Sequence, residues 1–187
     1  MAAPLRADRS NPRQGGPSFS LGNRLLRLAW STVWTLFGIW TPVPLHGWRR
    51  FLVRLFGGRI AATAKIYPGV AIWTPRNLEM QDYSCLGAGV VCYAMDRVTM
   101  EPYALVSQRA HLCCGTHDID NPNFPLYAKP IHIGRNAWVA SEAFVGPGVA
   151  VGEGAVLGAR GVATRNLDPW TVYAGNPAKP IRKRASF

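Results

Sequence analysis

Aliphatic residues return at every sixth position through the second half of the chain, usually with a glycine or alanine directly behind them. This register runs through Ile133, Val139, Val145, Val151 and Leu157. Small or β-branched residues follow each aliphatic residue by four positions, at Ala137, Ala143, Val149, Ala155 and Gly161. A period of six is neither the 3.6 of an α-helix nor the 2 of an ordinary strand, so it predicts a different architecture.

The period of six predicts an all-β prism in which each hexad forms one flat side. Three hexads complete one coil, the aliphatic residue fills the interior, and the small residue lies near a crowded corner. Successive coils stack as parallel strands and satisfy one another's backbone groups. About five such coils fit between Ile60 and Asp168, which we define as the repeat domain, residues 60–168. A β-sandwich with coincidental spacing is the alternative, and it does not explain hexads that stay in register.

The same register is interrupted in the first half of the chain. It runs in three pieces, Ile60–Ile66–Ile72, Met80–Leu86–Cys92 and Met100–Val106–Leu112. The two steps of eight between these pieces predict a two-residue bulge at a corner. The step of twenty-one from Leu112 to Ile133 predicts a loop, residues 115–132, that leaves the prism.

The segment before the repeats is predicted to be helical. Residues 1–20 are rich in Pro, Gly, Ser and Arg and predict a disordered basic tail. Within residues 21–59, Asn23 is a candidate cap for a helix that reaches to about Trp40, and a second helix is predicted from Trp48 to Phe56. No cleavage site of the signal-peptide type follows, so we interpret the segment as part of the mature protein.

Residues 21–56 allow two interpretations. The apolar stretch after Arg27 is shorter than the roughly 20 residues that cross a bilayer, which favours an anchor lying in the membrane surface. Its tryptophans suit the interface and its arginines suit anionic headgroups; the tryptophans are Trp30, Trp34, Trp40 and Trp48. The alternative is that both helices pack on the repeat domain or on a neighbouring subunit.

Composition and charge narrow the function further. The 187 residues carry a net charge of +11, and residues 1–59 hold nine Arg against one acid, Asp8, hence +8. Because these arginines alternate with Trp and Leu, we do not expect nucleic acid as a partner. The four cysteines show no disulfide or zinc spacing and predict free thiols in a reducing compartment, the cytoplasm.

The repeats resemble those of the hexapeptide-repeat acyltransferases over residues 60–184. The ending "YAGNPAKPIRKR" is similar to the tail of the sugar O-acetyltransferases in that family. The blocks "PLHGWRRFLVRLFGGRI" and "NLEMQDYSCLGAGVVCY" resemble the colanic acid acetyltransferases of exopolysaccharide clusters. The resemblance implies a left-handed parallel β-helix, a homotrimer with active sites between subunits, and transfer of acetyl from acetyl-CoA to a sugar hydroxyl.

Acetyl transfer to a hydroxyl needs a base, because an alcohol is almost fully protonated at neutral pH, and histidine titrates in that range. The resemblance implies that His117, which opens the predicted loop, is the general base for direct attack on the thioester. Neither a Ser-His-Asp nor a Cys-His motif indicates an acyl-enzyme. Candidates for contact with the saccharide acceptor are Asp96, Asp118, Asn121, Asn123 and Tyr127. Asp96 and Asp118 have an alternative role as turn residues that bond their own backbone.

The resemblance also implies where acetyl-CoA binds. Trp138 borders the cofactor groove, and the N–H of Ala140 or Ser141 is a candidate oxyanion donor. Thr164 and Arg165 match a Thr-Lys pair that meets the nucleotide phosphates. The complete set of cofactor-binding candidates is Trp138, Ala140, Ser141, Gly158, Thr164, Arg165, Lys179 and Arg182. Lys179 and Arg182 belong to a basic tail, residues 169–187. The alternative is that this tail is exposed to solvent and binds no phosphate.

Two other functions remain as alternatives. A carbonic-anhydrase-like zinc lyase needs three converging histidines, but His111 and His117 lie one hexad apart and are expected to point away from each other. We therefore predict no metal site. A β-helix that serves as a non-catalytic scaffold is the second alternative. The favoured hypothesis is a cytoplasmic trimer, with a peripheral location on the inner face of the plasma membrane if its sugar acceptor is lipid-linked.

Overall fold

Two helices precede a long run of short strands in the computed structural model, which describes residues 18–187. Helix α1 spans Leu21–Phe37 and α2 spans His46–Leu55. The predicted disordered tail, residues 1–20, falls mostly outside the described residues. The N-terminal strands are β1 (Arg59–Ile60), β2 (Lys65–Ile66), β3 (Ala71–Ile72), β4 (Leu78–Met80), β5 (Cys85–Leu86), β6 (Val91–Tyr93), β7 (Val98–Met100), β8 (Leu105–Val106) and β9 (His111–Cys113).

The remaining strands complete the domain after an excursion. They are β10 (Gly115–His117), β11 (Leu126–Ala128), β12 (Ile131–Ile133), β13 (Trp138–Val139), β14 (Phe144–Val145), β15 (Ala150–Val151), β16 (Val156–Leu157), β17 (Val162–Ala163), β18 (Thr171–Ala174) and β19 (Lys179–Lys183). Five full coils and a partial sixth result, since each coil supplies three strands and the last coil begins where Leu167 pairs with Val151, just before β18.

The strands form the three flat faces that the hexads predict. The first face is β1, β4, β7, β12 and β15; the second is β2, β5, β8, β13, β16, β18 and β19; the third is β3, β6, β9, β14 and β17. Neighbouring strands are parallel, and repeat residues pair in register, as in Ile66↔Leu86 and Leu86↔Val106. Only β18 and β19 pair antiparallel within these faces of residues 18–187. The prediction of a parallel β-prism is confirmed.

The core is the inside of the prism. The aliphatic residue of each hexad is fully or almost fully buried, as at Ile66, Leu112 and Leu157. The small residue four positions later is also buried, as at Ala137 and Ala143. The corners have no room for a larger side chain, because each one turns the backbone from one face into the next. Interior volume therefore determines both the large and the small positions of the repeat.

The interruptions of the register lie at the corner between the third and first faces. The first step of eight contains a 3₁₀ turn, Pro75–Asn77, and the second contains a turn at Met95 and Asp96. The step of twenty-one contains an antiparallel hairpin of β10 and β11. This excursion ends at Pro130 and not at the predicted residue 132, because Ile131 already pairs with Val98 on the first face.

The helices differ from prediction at their ends. Ser20 caps α1, since its hydroxyl accepts the N–H of Asn23; Asn23 itself lies inside the helix. Helix α1 ends at Phe37, and α2 begins at His46, two residues before the predicted start. We call residues 21–56 the cap. No helix among residues 18–187 is long and apolar enough to cross a membrane.

The cap closes the N-terminal end of the prism by hydrogen bonding to the first coil. The indole N–H groups of Trp30 and Trp34 donate to the carbonyls of Ile72 and Val70 at 2.7 and 2.8 Å. The arginines of α2 donate from Arg49 Nε to Ile66 O at 2.6 Å, Arg50 Nη1 to Ala64 O at 2.9 Å and Arg54 Nε to Ile60 O at 2.8 Å. These side chains replace the coil that would otherwise pair with the first one.

The hypothesis that Trp30, Trp34 and Arg49 contact a membrane is therefore wrong, because these three side chains are buried against the prism. The alternative of packing on the repeat domain describes them. The opposite end of the prism is closed by β18 and β19, so residues 169–187 contain a strand pair and are not simply a basic tail. Arg184 ties this end down by donating to the carbonyls of Asn136 and Gly154 at 3.1 and 3.0 Å.

Candidate active site

The hairpin presents His117 beyond the corner between the third and first faces. Strand β10 follows β9 after one residue, and Gly115 pairs with Ala128 at the base of the hairpin. A Cβ at Gly115 would overlap Met95 Sδ, so a larger residue there would require the Met95 side chain to shift. His117 pairs with Leu126 at the far end of β10.

The imidazole of His117 is held by one residue. Its Nδ1 lies 3.0 Å from the carbonyl oxygen of Phe124, and its ring stacks on the Phe124 ring with centroids 4.3 Å apart and planes at 12°. Because a carbonyl only accepts, Nδ1 carries the proton in the neutral ring. The lone pair is then on Nε2, the nitrogen that faces away from this contact. This is the tautomer that a general base requires.

Phe124 adopts a left-handed backbone conformation, with φ of +49°, which is unusual for a bulky residue. A hydrogen bond from its N–H to the carbonyl of Asn121 at 2.8 Å closes the turn that imposes this conformation. No local pattern in "NPNF" indicates that the carbonyl of Phe124 turns toward a histidine, so Phe124 is not among the predicted site residues.

Replacing Phe124 with glycine tests this arrangement. Glycine keeps the left-handed backbone and the carbonyl but removes the ring, so we expect kcat to fall about threefold to tenfold, the value of one aromatic contact. The KM for acetyl-CoA should stay unchanged, since the ring contacts His117 and none of the cofactor-binding candidates. Ile119→Ala is the control, because Ile119 lies in the same hairpin loop and is 76% exposed. Equal kcat values in both variants would contradict the role of the Phe124 ring.

The carboxylates predicted near the base are engaged elsewhere. Asp118 Oδ1 accepts the N–H of Asp120 at 3.2 Å, and Asp96 Oδ1 accepts the N–H of Arg97 at 2.7 Å. Both contacts match the turn role that the sequence left open. Asp118 does not orient His117, whose Nδ1 is taken by the carbonyl of Phe124.

The amide and phenol candidates of the hairpin differ in position. Asn121 Oδ1 accepts the N–H of Asn123 at 2.9 Å, which places both in the exposed turn beside Phe124. Tyr127 pairs with Thr116, one position away from the pair of His117 and Leu126. Because strand side chains alternate between faces, Tyr127 points away from His117. The hairpin register therefore does not place Tyr127 beside the imidazole of His117, and its contact with the acceptor stays a prediction.

The candidates for the thioester region lie on the second face and at the corner where it meets the third. Trp138 is 42% exposed on β13, and its indole donates to Ser107 Oγ at 2.8 Å. The N–H of Ala140 donates to the carbonyl of Leu157, which removes it as an oxyanion donor. The N–H of Ser141 has no such partner within the described chain. Gly158 lies one coil below, where a Cβ would come within 3.1 Å of Tyr173 O.

The candidates for the phosphates are exposed. Thr164 and Arg165 follow β17 at the corner between the third and first faces, the same corner that carries the hairpin. Lys179 and Arg182 lie on β19, at the end of the second face. Their neighbour Lys183 is instead bound to Thr171 Oγ1 at 2.9 Å.

The predicted site residues therefore occupy two separate edges of the prism. The histidine edge is the corner between the third and first faces, with Asp96, the hairpin and residues 164–166. The tryptophan edge is the second face from Trp138 onward, with its corner to the third face and Gly158. The third face separates the two edges, so one chain does not bring His117 and Trp138 together.

The remaining histidines lie on different elements. His111 is on the third face between the rings of Tyr93 and Phe144, where burial lowers its pKa. His132 is on the first face, with Nε2 3.1 Å from Glu101 Oε1, and His46 Nδ1 is 2.8 Å from Ile66 O in the cap. Among residues 18–187, no group of three His, Cys, Asp or Glu side chains is placed to hold a metal ion.

The four cysteines are free. Burial raises the pKa of Cys92, Cys113 and Cys85, and it raises the pKa of Cys114 to about 12. Cys113, next to the hairpin, directs its thiol to the carbonyl of Gly115 at 3.3 Å. These thiols remain protonated at neutral pH and are poor nucleophiles, since the thiolate is the reactive form.

Comparisons with known proteins agree with this architecture. No protein-family model matches the chain. The chain is 40% identical over 167 residues to the Escherichia coli (strain K12) protein named "Putative colanic acid biosynthesis acetyltransferase WcaF". The alignment covers 89% of this chain and 91% of the relative. A maltose O-acetyltransferase from Clostridium difficile 630 superposes with a TM-score of 0.80 at 18% identity, covering 89% of this chain and 90% of that chain.

A third relative is a hexapeptide-repeat acetyltransferase from Vibrio cholerae O1 biovar eltor, solved in complex with acetyl coenzyme A. It superposes with a TM-score of 0.80 at 19% identity, covering 91% of this chain and 93% of that chain. The two solved structures, at 18% and 19% sequence identity, show a common fold. The E. coli relative, at 40% identity, shows common descent along most of both sequences. The chain therefore belongs to the hexapeptide-repeat acetyltransferases, whose repeats wind into a left-handed parallel β-helix.

Proposed function

We propose that this protein transfers the acetyl group of acetyl-CoA to a sugar hydroxyl in exopolysaccharide biosynthesis, with His117 as the general base. The observation that carries the proposal is the contact between His117 Nδ1 and the carbonyl of Phe124, which in the neutral ring leaves the lone pair on Nε2. The E. coli relative, named for colanic acid biosynthesis, supports the pathway, and the maltose O-acetyltransferase supports a sugar as acceptor.

The chemistry requires one proton relay. Nε2 of His117 takes the proton of the acceptor hydroxyl while its oxygen attacks the thioester carbonyl carbon. The imidazolium then returns the proton to the departing sulfur as the carbon–sulfur bond breaks, so that the products are the acetyl ester and free CoA. The N–H of Ser141 is the proposed donor to the developing oxyanion, in place of Ala140. The protonated cysteines leave direct transfer as the simplest route.

The placement of the site residues supports a homotrimer. His117 and Trp138 lie on separate edges, so a complete site needs the histidine edge of one copy against the tryptophan edge of the next. Such a head-to-tail contact closes into a ring when the rotation is right, and a ring of three gives three equal sites. The exposed cations Arg165, Lys179 and Arg182 would then supply positive charge for the CoA phosphates.

Mixed trimers test both the site and the assembly. We expect His117→Ala and Ser141→Glu to be inactive alone, because one removes the base and the other places a carboxylate at the oxyanion position. Co-expressed as two tagged chains, they should regain about one third of wild-type activity per mixed trimer, since cyclic symmetry leaves one intact pairing. The measurement is CoA thiol release with saccharide acceptors, followed by mass spectrometry of the product.

A matched pair on one edge provides the control. His117→Ala and Arg165→Glu both alter the histidine edge, so their mixed trimers should contain no intact site and regain nothing. Recovery in this control pair, or none in the first pair despite isolated mixed trimers, would contradict a site shared between copies.

The acceptor that we propose is a sugar carried on a lipid at the inner face of the plasma membrane. This acceptor class accounts for a cytoplasmic donor, acetyl-CoA, and for the apolar N-terminal cap in one protein.

A further inference from the structure

The side of the cap that faces away from the prism is apolar. In α1, four exposed leucines share one helix face, because the last three lie four, seven and fifteen positions after the first. They are Leu21, Leu25, Leu28 and Leu36. They are 55–67% exposed, whereas Trp30 and Trp34 on the opposite side are buried against the prism. A helix with both faces apolar needs two partners, and the prism supplies only one.

Helix α2 and the linker before it, residues 38–45, extend the same surface. Trp40, Trp48, Phe51 and Leu55 are all more than 40% exposed. Among residues 18–187, nineteen large apolar side chains are exposed, and eleven of them lie within residues 21–55. We call this surface the outer face of the cap. Monomeric domains rarely expose so concentrated an apolar patch unless it binds something.

Three polar side chains on the outer side of the cap are bonded within the cap itself. The indole of Trp40 donates to Leu36 O at 2.9 Å, and that of Trp48 donates to Phe37 O at 2.7 Å. The hydroxyl of Ser31 donates to Leu28 O at 3.0 Å. Protein interfaces commonly use such donors across the contact, whereas insertion into lipid requires them to be bonded internally. The outer face therefore fits lipid better than a protein partner.

The charge of the cap selects the kind of lipid. From residue 9 to residue 78 the sequence holds no Asp or Glu. Within residues 18–78 it holds eight cations, and only Arg59 is paired with a carboxylate, that of Glu79. The other arginines that cap the first coil bond to neutral carbonyls, so their charge is not cancelled. An apolar surface in a positive field is suited to anionic headgroups.

We propose that the outer face of the cap docks on an anionic membrane surface, with the axis of the prism upright on the bilayer. The cap covers the N-terminal end of the prism, so this face is directed along the axis. In the proposed trimer, three caps would face the same way and bind together. One helix layer and two coil spacings separate the membrane from the third coil, which places the hairpin about 20 Å above the surface. This docking rests on its own evidence, and only the trimer and the lipid-linked acceptor rest on the proposed function.

Vesicle flotation tests the docking surface. The full chain should float with vesicles of phosphatidylglycerol and phosphatidylcholine and float less with phosphatidylcholine alone. The variants Leu25→Glu and Leu28→Glu should each lower the partition about tenfold or more, since burying one leucine is worth at least that factor. Tyr83→Glu is the matched control, because Tyr83 is exposed outside the cap, and it should bind as the wild type does.

Brominated lipids test the orientation. Their quenching should act mainly on Trp40 and Trp48 and should be mostly lost when both are replaced with phenylalanine, while Trp138→Phe and Trp170→Phe leave it unchanged. Equal quenching loss in the Trp138 or Trp170 variants would overturn the upright orientation.

Catalysis separates this proposal from the proposed function. Leu25→Glu and Leu28→Glu should keep wild-type thiol release with water-soluble saccharides, whatever their vesicle binding. A wild-type protein that does not float, or Leu25→Glu and Leu28→Glu variants that float like the wild type, would overturn the docking. The docking would also be overturned if the wild type did not bind vesicles but formed a larger oligomer that these variants dissociate. The outer face would then bind a second copy of the chain.

Discussion

Replacing His117 with alanine is expected to lower kcat for acetyl transfer about 10²- to 10⁴-fold, the contribution of a positioned general base. The loss should fall on kcat, because the role proposed for the imidazole is to take the acceptor proton and not to hold the donor. The KM for acetyl-CoA should therefore change little. Thiol release with a saturating saccharide acceptor measures both parameters.

Another histidine serves as the control for this prediction. His132 is partly exposed and paired with Glu101 on the first face, outside the hairpin, so His132→Ala should keep kcat within about twofold. Added imidazole should restore part of the activity of His117→Ala, because the missing group is small and soluble. A His117→Ala enzyme that retains more than about a tenth of wild-type kcat would rule out the role of the base.

The prism was predictable because its rule is local and repeated. A residue such as Leu112 must be large and apolar since it fills the interior, and Ala143 must be small since it lies in a corner. Both demands recur every six positions, so the sequence carries them many times over. The interruptions were predictable for the same reason: a departure from a strict register, as between Leu112 and Ile133, marks an insertion.

The sequence names candidate site residues but does not show their geometry. The sequence indicated His117 as the base, yet not the residue that holds it, because the carbonyl of Phe124 is a main-chain group that every residue type offers. It also indicated Ala140 as an oxyanion donor without showing that the coil below takes its N–H. Backbone groups form the site as much as side chains do, and sequence reports them only through the fold.

The cap was ambiguous for a related reason. Tryptophans and arginines in an apolar helix are typical both of a membrane anchor and of a helix packed on a polar edge. The carbonyls that decide between these, those of Val70 and Ile72 among them, become visible only once the first coil exists. The structure divides the segment between the two interpretations: one side of the cap completes the prism, and the other side remains exposed.

Arg49 is expected to be the most stabilising side chain of the cap. It is fully buried, and its guanidinium donates to Ile66 O at 2.6 Å, to Pro42 O at 2.9 Å and to Val43 O at 2.6 Å, with two further bonds to Thr41. Arg49→Leu would remove all of these donors at once and would leave the carbonyls of Thr41 and Val43 without a partner. We expect the free energy of unfolding to fall by about 3–5 kcal/mol, since each unsatisfied buried group costs roughly 1–3 kcal/mol and some will reach water.

Urea unfolding at one fixed protein concentration measures this loss, because assembly contributes to apparent stability. Arg49→Lys should recover little of the lost stability. One ammonium carries its three donors at a single point and cannot reach carbonyls on both the linker, residues 38–45, and the first coil. Arg24→Leu, at an exposed position of α1, should change stability by less than about 0.5 kcal/mol. If Arg49→Leu were as mild as Arg24→Leu, the first coil would not depend on side-chain donors to complete its edge, and the role assigned to the inner side of the cap would fail.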